Sequence, residues 1–222
     1  MRVETINNAT LMQVDCMEYM ATLPDKAFQL AVCDPPYGLD ADSMNGRGKM
    51  KGRAILMDTS WDKAPTQAYF DELRRVSVNQ IIWGGNYFPL PPARCVIAWD
   101  KVQPWENFSQ WEMAWTSFNS PAALFKFDNR TGDKIHPTQK PQALYEWLLT
   151  RFAKPCDRIL DTHGGSMSSV IAALKMGFEI TCTELDPDYF AAGVERVQNS
   201  QRQETLFTPS PPKQEQMKME VV

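Results

Sequence analysis

Short apolar runs of strand length recur along this 222-residue chain, each ending on a carboxylate or a Gly-rich break. Between them apolar residues fall at helical spacing. Residues 10–15 predict a strand ending on Asp15, and Cys16–Leu23 a helix before the turn Pro24-Asp25-Lys26. Phe28–Cys33 predicts a buried strand. Strand, helix, strand is the grammar of a mostly parallel sheet. The same patterns predict a helix over Tyr69–Val76, and strands over Gln80–Trp83, Cys95–Trp99, Glu112–Phe118 and Leu124–Phe127. A helix over Gln142–Phe152 follows, with Leu144, Trp147, Leu148 and Phe152 on one face. Then come a strand over Arg158–Leu160, a helix over Ser168–Met176 capped by Gly177, a strand over Glu179–Thr183 and a helix over Asp188–Val197. From Gln198 on the chain is polar and Pro-rich. Residues 1–198 are therefore expected to form a single α/β domain, and 199–222 a disordered tail.

Two places break this pattern in a way that suggests chemistry. Phe28–Cys33 runs straight into Asp34-Pro35-Pro36-Tyr37. Pro has no N–H for a strand ladder, so these four residues lie just past a strand's C-terminal end, where open α/β sheets bind ligands. A mere turn is the other reading. Shortly after, Gly46–Arg53 carries four positive charges and three Gly. It reads either as a solvated loop or as a phosphate-contacting one, through Arg47, Lys49, Lys51 and Arg53; its position after Asp34 favours the second.

The other place is 158–186: strand, Gly turn, helix, strand, acid. The turn Asp161-Thr-His-Gly-Gly165-Ser166 would let a ligand approach the backbone at a helix N-terminus. Glu184 closes the next strand, where it could accept from ribose hydroxyls. This points to an adenosine-containing ligand, with a structural strand–helix turn as the alternative.

Charge and composition narrow the field. A net charge of −4 and a pI near 5.3 exclude nucleic-acid binding driven by total charge, so such contact needs a local basic patch. The five Cys show no CxxC spacing and read mostly as small core residues; with two His the sequence offers no zinc pattern, and no metal site is expected. No stretch approaches about 18 apolar residues, which makes a soluble, cytoplasmic protein without membrane contact the expectation.

Taken together the motifs resemble the amino-group DNA methyltransferases, in the permuted order with the catalytic half first. The resemblance covers about residues 10–198 and rests on the order of Asp34-Pro-Pro-Tyr37, His136-Pro-Thr-Gln-Lys-Pro141, Asp161…Gly165-Ser166 and Glu184-Leu-Asp186…Tyr189. It is nearest to small phage or bacterial orphan adenine methylases. It implies a Rossmann-like, circularly permuted fold with a mostly parallel sheet and an antiparallel strand. It also implies transfer of a methyl group from S-adenosylmethionine to the N6 amine of a flipped adenine. Asp34 and the Pro35 carbonyl would orient the amine, Pro36 would stiffen the turn, and Tyr37 would stack on the base. Asp15, His136, Lys140, Asp161, Gly165, Ser166, Glu184 and Asp186 would surround the cofactor, Lys140 near its carboxylate. One position departs from the family. Met167 stands where Gly is usual and is expected to narrow the cofactor cleft.

The implied partner is double-stranded DNA, met by residues 39–62 and 101–135; a homodimer fits the class. Gln203-Glu-Thr-Leu206-Phe207 resembles a peptide that docks on the replication sliding clamp, against a reading in which Leu206 and Phe207 pack on the domain. The rival functions are methylation of cytosine N4 or an RNA base, and an idle nucleic-acid-binding module of the same fold.

Overall fold

The computed structural model describes residues 1–39, 63–104, 109–128 and 139–207, with side chains as far as 203. Among these residues nine strands form one sheet: β1 (Arg2–Ile6), β2 (Ala9–Gln13), β3 (Phe28–Cys33), β4 (Ser77–Trp83), β5 (Val96–Asp100), β6 (Trp111–Thr116), β7 (Ala123–Lys126), β8 (Arg158–Asp161) and β9 (Glu179–Glu184). Their order is β1-β2-β9-β8-β3-β4-β6-β5-β7. The strands share one direction except β1 and β6, which run against their neighbours. The sheet thus has two antiparallel members where one was expected. β1 is the addition: it forms a hairpin with β2 across Asn7 and Asn8, and Asn7 takes a left-handed φ of 50°, which Asn tolerates. None of its residues is buried, so no apolar alternation announced it.

Five helices among the described residues cover the two faces: α1 (Cys16–Ala21), α2 (Gln67–Val76), α3 (Gln142–Phe152), α4 (Ser168–Lys175) and α5 (Pro187–Phe207). Side chains alternate across a strand, and β3 shows the consequence. Leu30 and Val32 join Leu144, Leu148, Val170, Ile171, Phe190 and Val194 on the face under α3, α4 and α5. Ala31 and Cys33 join Met20, Tyr69, Phe70, Leu73 and Val76 on the face under α1 and α2. The central strand is buried on both sides, as its unbroken apolar run requires.

The expected boundary of a tail at 198 is corrected. α5 continues to Phe207, and Asn7 Nδ2 donates to Gln201 Oε1 at 2.6 Å, tying the extension to the β1–β2 turn. Once nucleated, a helix adds residues with little dependence on their polarity. The clamp-like segment from Gln203 is therefore helical backbone; the side chains of Leu206 and Phe207 lie outside the described residues. Of the Cys, Cys33, Cys95 and Cys182 are buried core residues, whereas Cys156 is exposed. Trp99 is buried, Trp111 is 53% exposed, and Trp105 is outside the described residues. No described helix is long and apolar enough to cross a membrane.

Candidate active site

The C-terminal ends of β3, β4, β8 and β9 lie side by side, because these strands are parallel: Ala31 pairs with Leu160, Asp161 with Cys182, and Cys33 with Ile82. The Asp34, Asp161 and Glu184 motifs each hang from one of these ends.

At the end of β3, Pro35 is buried and Tyr37 folds back so that its hydroxyl donates to Asp34 Oδ1 at 2.8 Å. The Tyr37 ring lies against Gly84, which ends β4 with a φ of +70°. A Cβ at Gly84 would come within 2.3 Å of Tyr37 Cε1, so β4 has to end in glycine. Tyr87 stacks on Tyr37 at 5.2 Å between centroids and 25° between planes, and Phe88 meets it edge-on at 6.1 Å. Tyr87 is 48% exposed.

Lys140, just before α3, is 4% exposed. Its Nζ pairs with Asp34 Oδ2, lies 3.2 Å from the Tyr37 hydroxyl and 3.2 Å from Glu112 Oε2, and stands over the rings of Trp83 and Tyr37 at 5.2 and 5.7 Å. Glu112, on β6, pairs in turn with Lys101. The result is a line of alternating charges: Asp34, Lys140, Glu112, Lys101. Burial alone would discharge Lys140, but the two carboxylates outweigh it and raise its pKa above the ordinary lysine value. Burial likewise pushes Glu112 up, and Lys140 and Lys101 outweigh it and leave it low. Burial and the Asp34 charge hold the Tyr37 phenol far above its usual range, so it stays a neutral donor. Lys140, expected near the cofactor carboxylate, sits against the catalytic motif, because a buried ammonium needs anions and Asp34 and Glu112 supply them.

At the end of β8 the arrangement differs. Asp161 is buried; its Oδ1 accepts from the His163 backbone N–H at 3.0 Å and its Oδ2 from the Ser169 hydroxyl at 2.5 Å. Burial drives its pKa up to about 7, against the pull of Ser169, and the nearby Asp34 charge adds to the rise. His163 is kept neutral by burial, its pKa lowered to about 4. The turn is pinned to β9 by the Gly164 N–H, which donates to the Thr183 carbonyl at 2.9 Å. Gly165 has a φ of +48° and an open side: a Cβ there would meet nothing within 4 Å. Its N–H donates to Glu184 Oε2 at 2.7 Å, while Glu184 Oε1 accepts from Asp186 N–H at 2.9 Å. Burial raises the pKa of Glu184 too. Ser166 is buried, with its Oγ 3.2 Å from Ser168 Oγ.

Two carboxylates expected at the cofactor, Asp15 and Asp186, cap helices through Oδ1. Asp15 Oδ1 accepts from the N–H groups of Met17 and Glu18 at 2.7 and 3.3 Å, as the N-cap of α1. Asp186 Oδ1 accepts from Asp188 and Tyr189 at 2.8 and 2.9 Å at the start of α5. The expectation for Met167 is overturned. Its side chain is 0% exposed and packs into the core beside Gly193, away from the open side of Gly165. His136, Arg47, Lys49, Lys51 and Arg53 lie outside the described residues. Sequence reasoning missed Glu112, Lys101 and Tyr87. A carboxylate between Trp111 and Met113 in an aromatic-rich strand was the signal for the first.

Buried Asp161 and half-buried Glu184, both hydrogen-bonded and beside an open glycine, fit a ligand that brings its own positive charge, as the sulfonium and ammonium of S-adenosylmethionine would. Known proteins agree. The family described as DNA methylase (N6_N4_Mtase) matches residues 82–195. The methylase homologue YubD of Escherichia coli (strain K12) is 25% identical over 219 residues, 86% of this chain and 90% of that protein. The DNA adenine methyltransferase YhdJ of the same organism is 32% identical over 62 residues, 28% of this chain and 21% of that protein. The solved M1.HpyAVI–SAM complex shares the fold with a TM-score of 0.57 at 16% identity, covering 85% of this chain and 98% of that one. The family match runs through the Gly84 strand end, Glu112, Lys140 and the whole Asp161–Asp186 unit, and the chain belongs to the DNA methylase family, whose methyl donor is S-adenosylmethionine.

Proposed function

We propose that this chain methylates the N6 amine of adenine in double-stranded DNA, on a base turned out of the helix. The observation that carries the reading is the adjacency of β3 and β8. An amine held at Asp34 would face a donor lying over the Asp161–Gly165 turn one strand away. S-adenosylmethionine supplies an activated methyl group on a sulfonium. Asp161, Gly165, Ser166 and Glu184 would hold it, and Asp161 is the group its cationic end would meet.

The acceptor chemistry belongs to Asp34. The lone pair of an exocyclic amine is delocalised into the ring, so attack needs the nitrogen to become more tetrahedral. Acceptors aimed at its two N–H bonds favour that geometry, and Asp34 with the Pro35 carbonyl would be that pair. Both Asp34 oxygens already accept in this structure, Oδ1 from Tyr37 and Oδ2 from Lys140. The incoming N–H therefore shares or replaces the Tyr37 bond at Oδ1, while Lys140 keeps Oδ2 anchored. Extrusion of the base is needed because the target nitrogen lies inside the duplex. Since Tyr87 already faces Tyr37, the stacking surface for the base is the Tyr37–Tyr87 pair rather than Tyr37 alone.

Asp at the head of the motif favours adenine by resemblance, and the similarity to YhdJ supports it. The family spans N6 and N4 enzymes, which keeps cytosine N4 as the second reading. The chain order, with the Asp34 strand before the Asp161 strand, supports the permuted arrangement. Residues 39–62, with Arg47, Lys49, Lys51 and Arg53, are proposed to follow the DNA backbone. Transfer of tritiated methyl into unmethylated DNA, followed by nucleoside analysis, tests the proposal. Label in N6-methyladenine is the expected result. Label in N4-methylcytosine would reassign the substrate, and DNA binding without label would make the chain an idle module.

A further inference from the structure

The residue that departs from the family pattern, Met167, is answered by two residues of α5. Met167 has left-handed backbone angles, φ 55° and ψ 33°, as the N-cap of α4. A side chain is disfavoured there, which is why glycine suits the position. The Met167 side chain escapes the turn by passing under α5, where Gly193 leaves room. A Cβ at Gly193 would come within 2.9 Å of Met167 Cγ and Sδ and 3.0 Å of its Cε. Glycine weakens a helix interior, so its presence in α5 is accounted for by this contact rather than by helix formation. Three residues further, on the same face of the helix, Arg196 Nη1 donates to the Ser166 carbonyl and, at 3.0 Å, to Ser168 Oγ. α5 thus grips the residue before Met167, the residue after it, and Met167 itself.

We propose that Gly193 and Arg196 are positioning residues for the S-adenosylmethionine turn, and that they restore to a Met-containing turn the shape that glycine would otherwise give it. This rests on the reading that the Asp161–Ser166 turn takes the cofactor. Filling the Gly193 slot forces Met167 back toward residues 164–166, which shifts the Gly165 N–H and the open side beside it. The effect falls on cofactor binding and leaves the Asp34 side untouched.

The test is calorimetric titration of the full chain with S-adenosylmethionine, with circular dichroism to confirm folding. Gly193→Ala is expected to weaken binding about tenfold or more, as a turn displaced by a fraction of an ångström would. Met167→Gly in the same chain removes the side chain that competes for the Gly193 slot and is expected to restore binding to near the wild-type value. Arg196→Gln weakens binding and Arg196→Lys recovers part of it. In turnover assays the loss appears in KM for the cofactor, with kcat at saturation and KM for DNA unchanged. If Gly193→Ala does not fold, the Gly193→Ala/Met167→Ala pair and the Arg196 variants carry the test. Normal binding by folded Gly193→Ala, or failure of Met167→Gly to rescue it, overturns the proposal while leaving the cofactor reading intact. Wild-type binding that survives Asp161→Ala and Gly165→Val overturns the cofactor reading itself, and this proposal with it.

Discussion

Two carboxylates, one half-buried and one buried, stand at the ends of adjacent strands and are kept in opposite ways. Asp34, after β3, has a buried ammonium on one oxygen and a phenol on the other. Asp161, at the end of β8, has a backbone N–H and a serine hydroxyl, and its pKa climbs to about 7. The first site carries its own counter-charge and is complete without a ligand. The second has no counter-charge among the described residues and would gain from a cation that arrives from outside. That difference matches the partners proposed for them: a neutral amine needs a fixed, ionised acceptor, whereas a cationic cofactor rewards a site held short of full ionisation. Lys140 has a further effect. With Glu112 behind it, it fixes Asp34 without leaving net positive charge next to an amine that becomes cationic during attack.

The largest way to break the comparison is at Asp34. Asp34→Ala should lower methyl transfer by about 10³-fold or more, the upper end for removing one preorganised electrostatic group, while cofactor affinity measured by calorimetry stays near wild type. Loss of both would merge the two sites into one. Next is Lys140→Met, which takes the ammonium from half-buried Asp34 and leaves Glu112 with Lys101 alone. Removing one partner of such a pair costs about 3–5 kcal/mol, so thermal unfolding should move sharply down, and Lys140→Met with Glu112→Gln should recover part of the loss.

The third is a matter of pH. The raised pKa of Asp161 means that its own contribution to stability is full below the ordinary carboxylate value and is lost as pH rises through about 7. A cationic ligand reverses that preference. S-adenosylmethionine affinity should therefore strengthen as pH rises to about 7 and flatten above it, with a slope of about tenfold per unit below, and Asp161→Asn should remove the slope. A flat wild-type profile in calorimetry at several pH values would mean that Asp161 does not meet the cofactor's charge. The smallest effect belongs to the ring pair. Tyr87→Ala should raise KM for DNA by an amount equivalent to about 1–3 kcal/mol of base stacking, and Tyr87→Phe should leave it unchanged. Fluorescence of 2-aminopurine at the target position reads the same step directly.

What local periodicity can report was read well. Phe28–Cys33 and Gln142–Phe152 are the observed limits of β3 and α3, because each carries an unbroken apolar run or face that packing preserves. Asp34, Tyr37, Asp161, Gly165 and Glu184 all stand at strand ends, since a run that stops abruptly fixes where its next residue goes. The misses come from contacts distant in sequence. The pairing of Lys140 with Asp34 and Glu112 is invisible in the sequence because these carboxylates arrive from β3 and β6, and no spacing announces that meeting. Tyr87 and Gly84 gain meaning only when β4 lies beside β3. The capping bonds of Asp15 and Asp186 are not distinguished in sequence from ligand contacts, because a capping Asp and a ligand Asp share the same address, just before a helix.

The strand order also bears on how the enzyme comes off the ribosome. Leu30 pairs with Ile159, so the acceptor motif is seated on a strand translated long after it. Until β8 emerges, the apolar ribbon of β3 has an unpaired edge, a state open to aggregation. A nascent chain stalled before residue 158 would hold the Asp-Pro-Pro-Tyr sequence with β4, β6 and Lys140 on one side and no strand on the other edge of β3, and would have no Asp161 turn at all. Newly made molecules would therefore become able to mark DNA only when nearly all of the sheet has been synthesised.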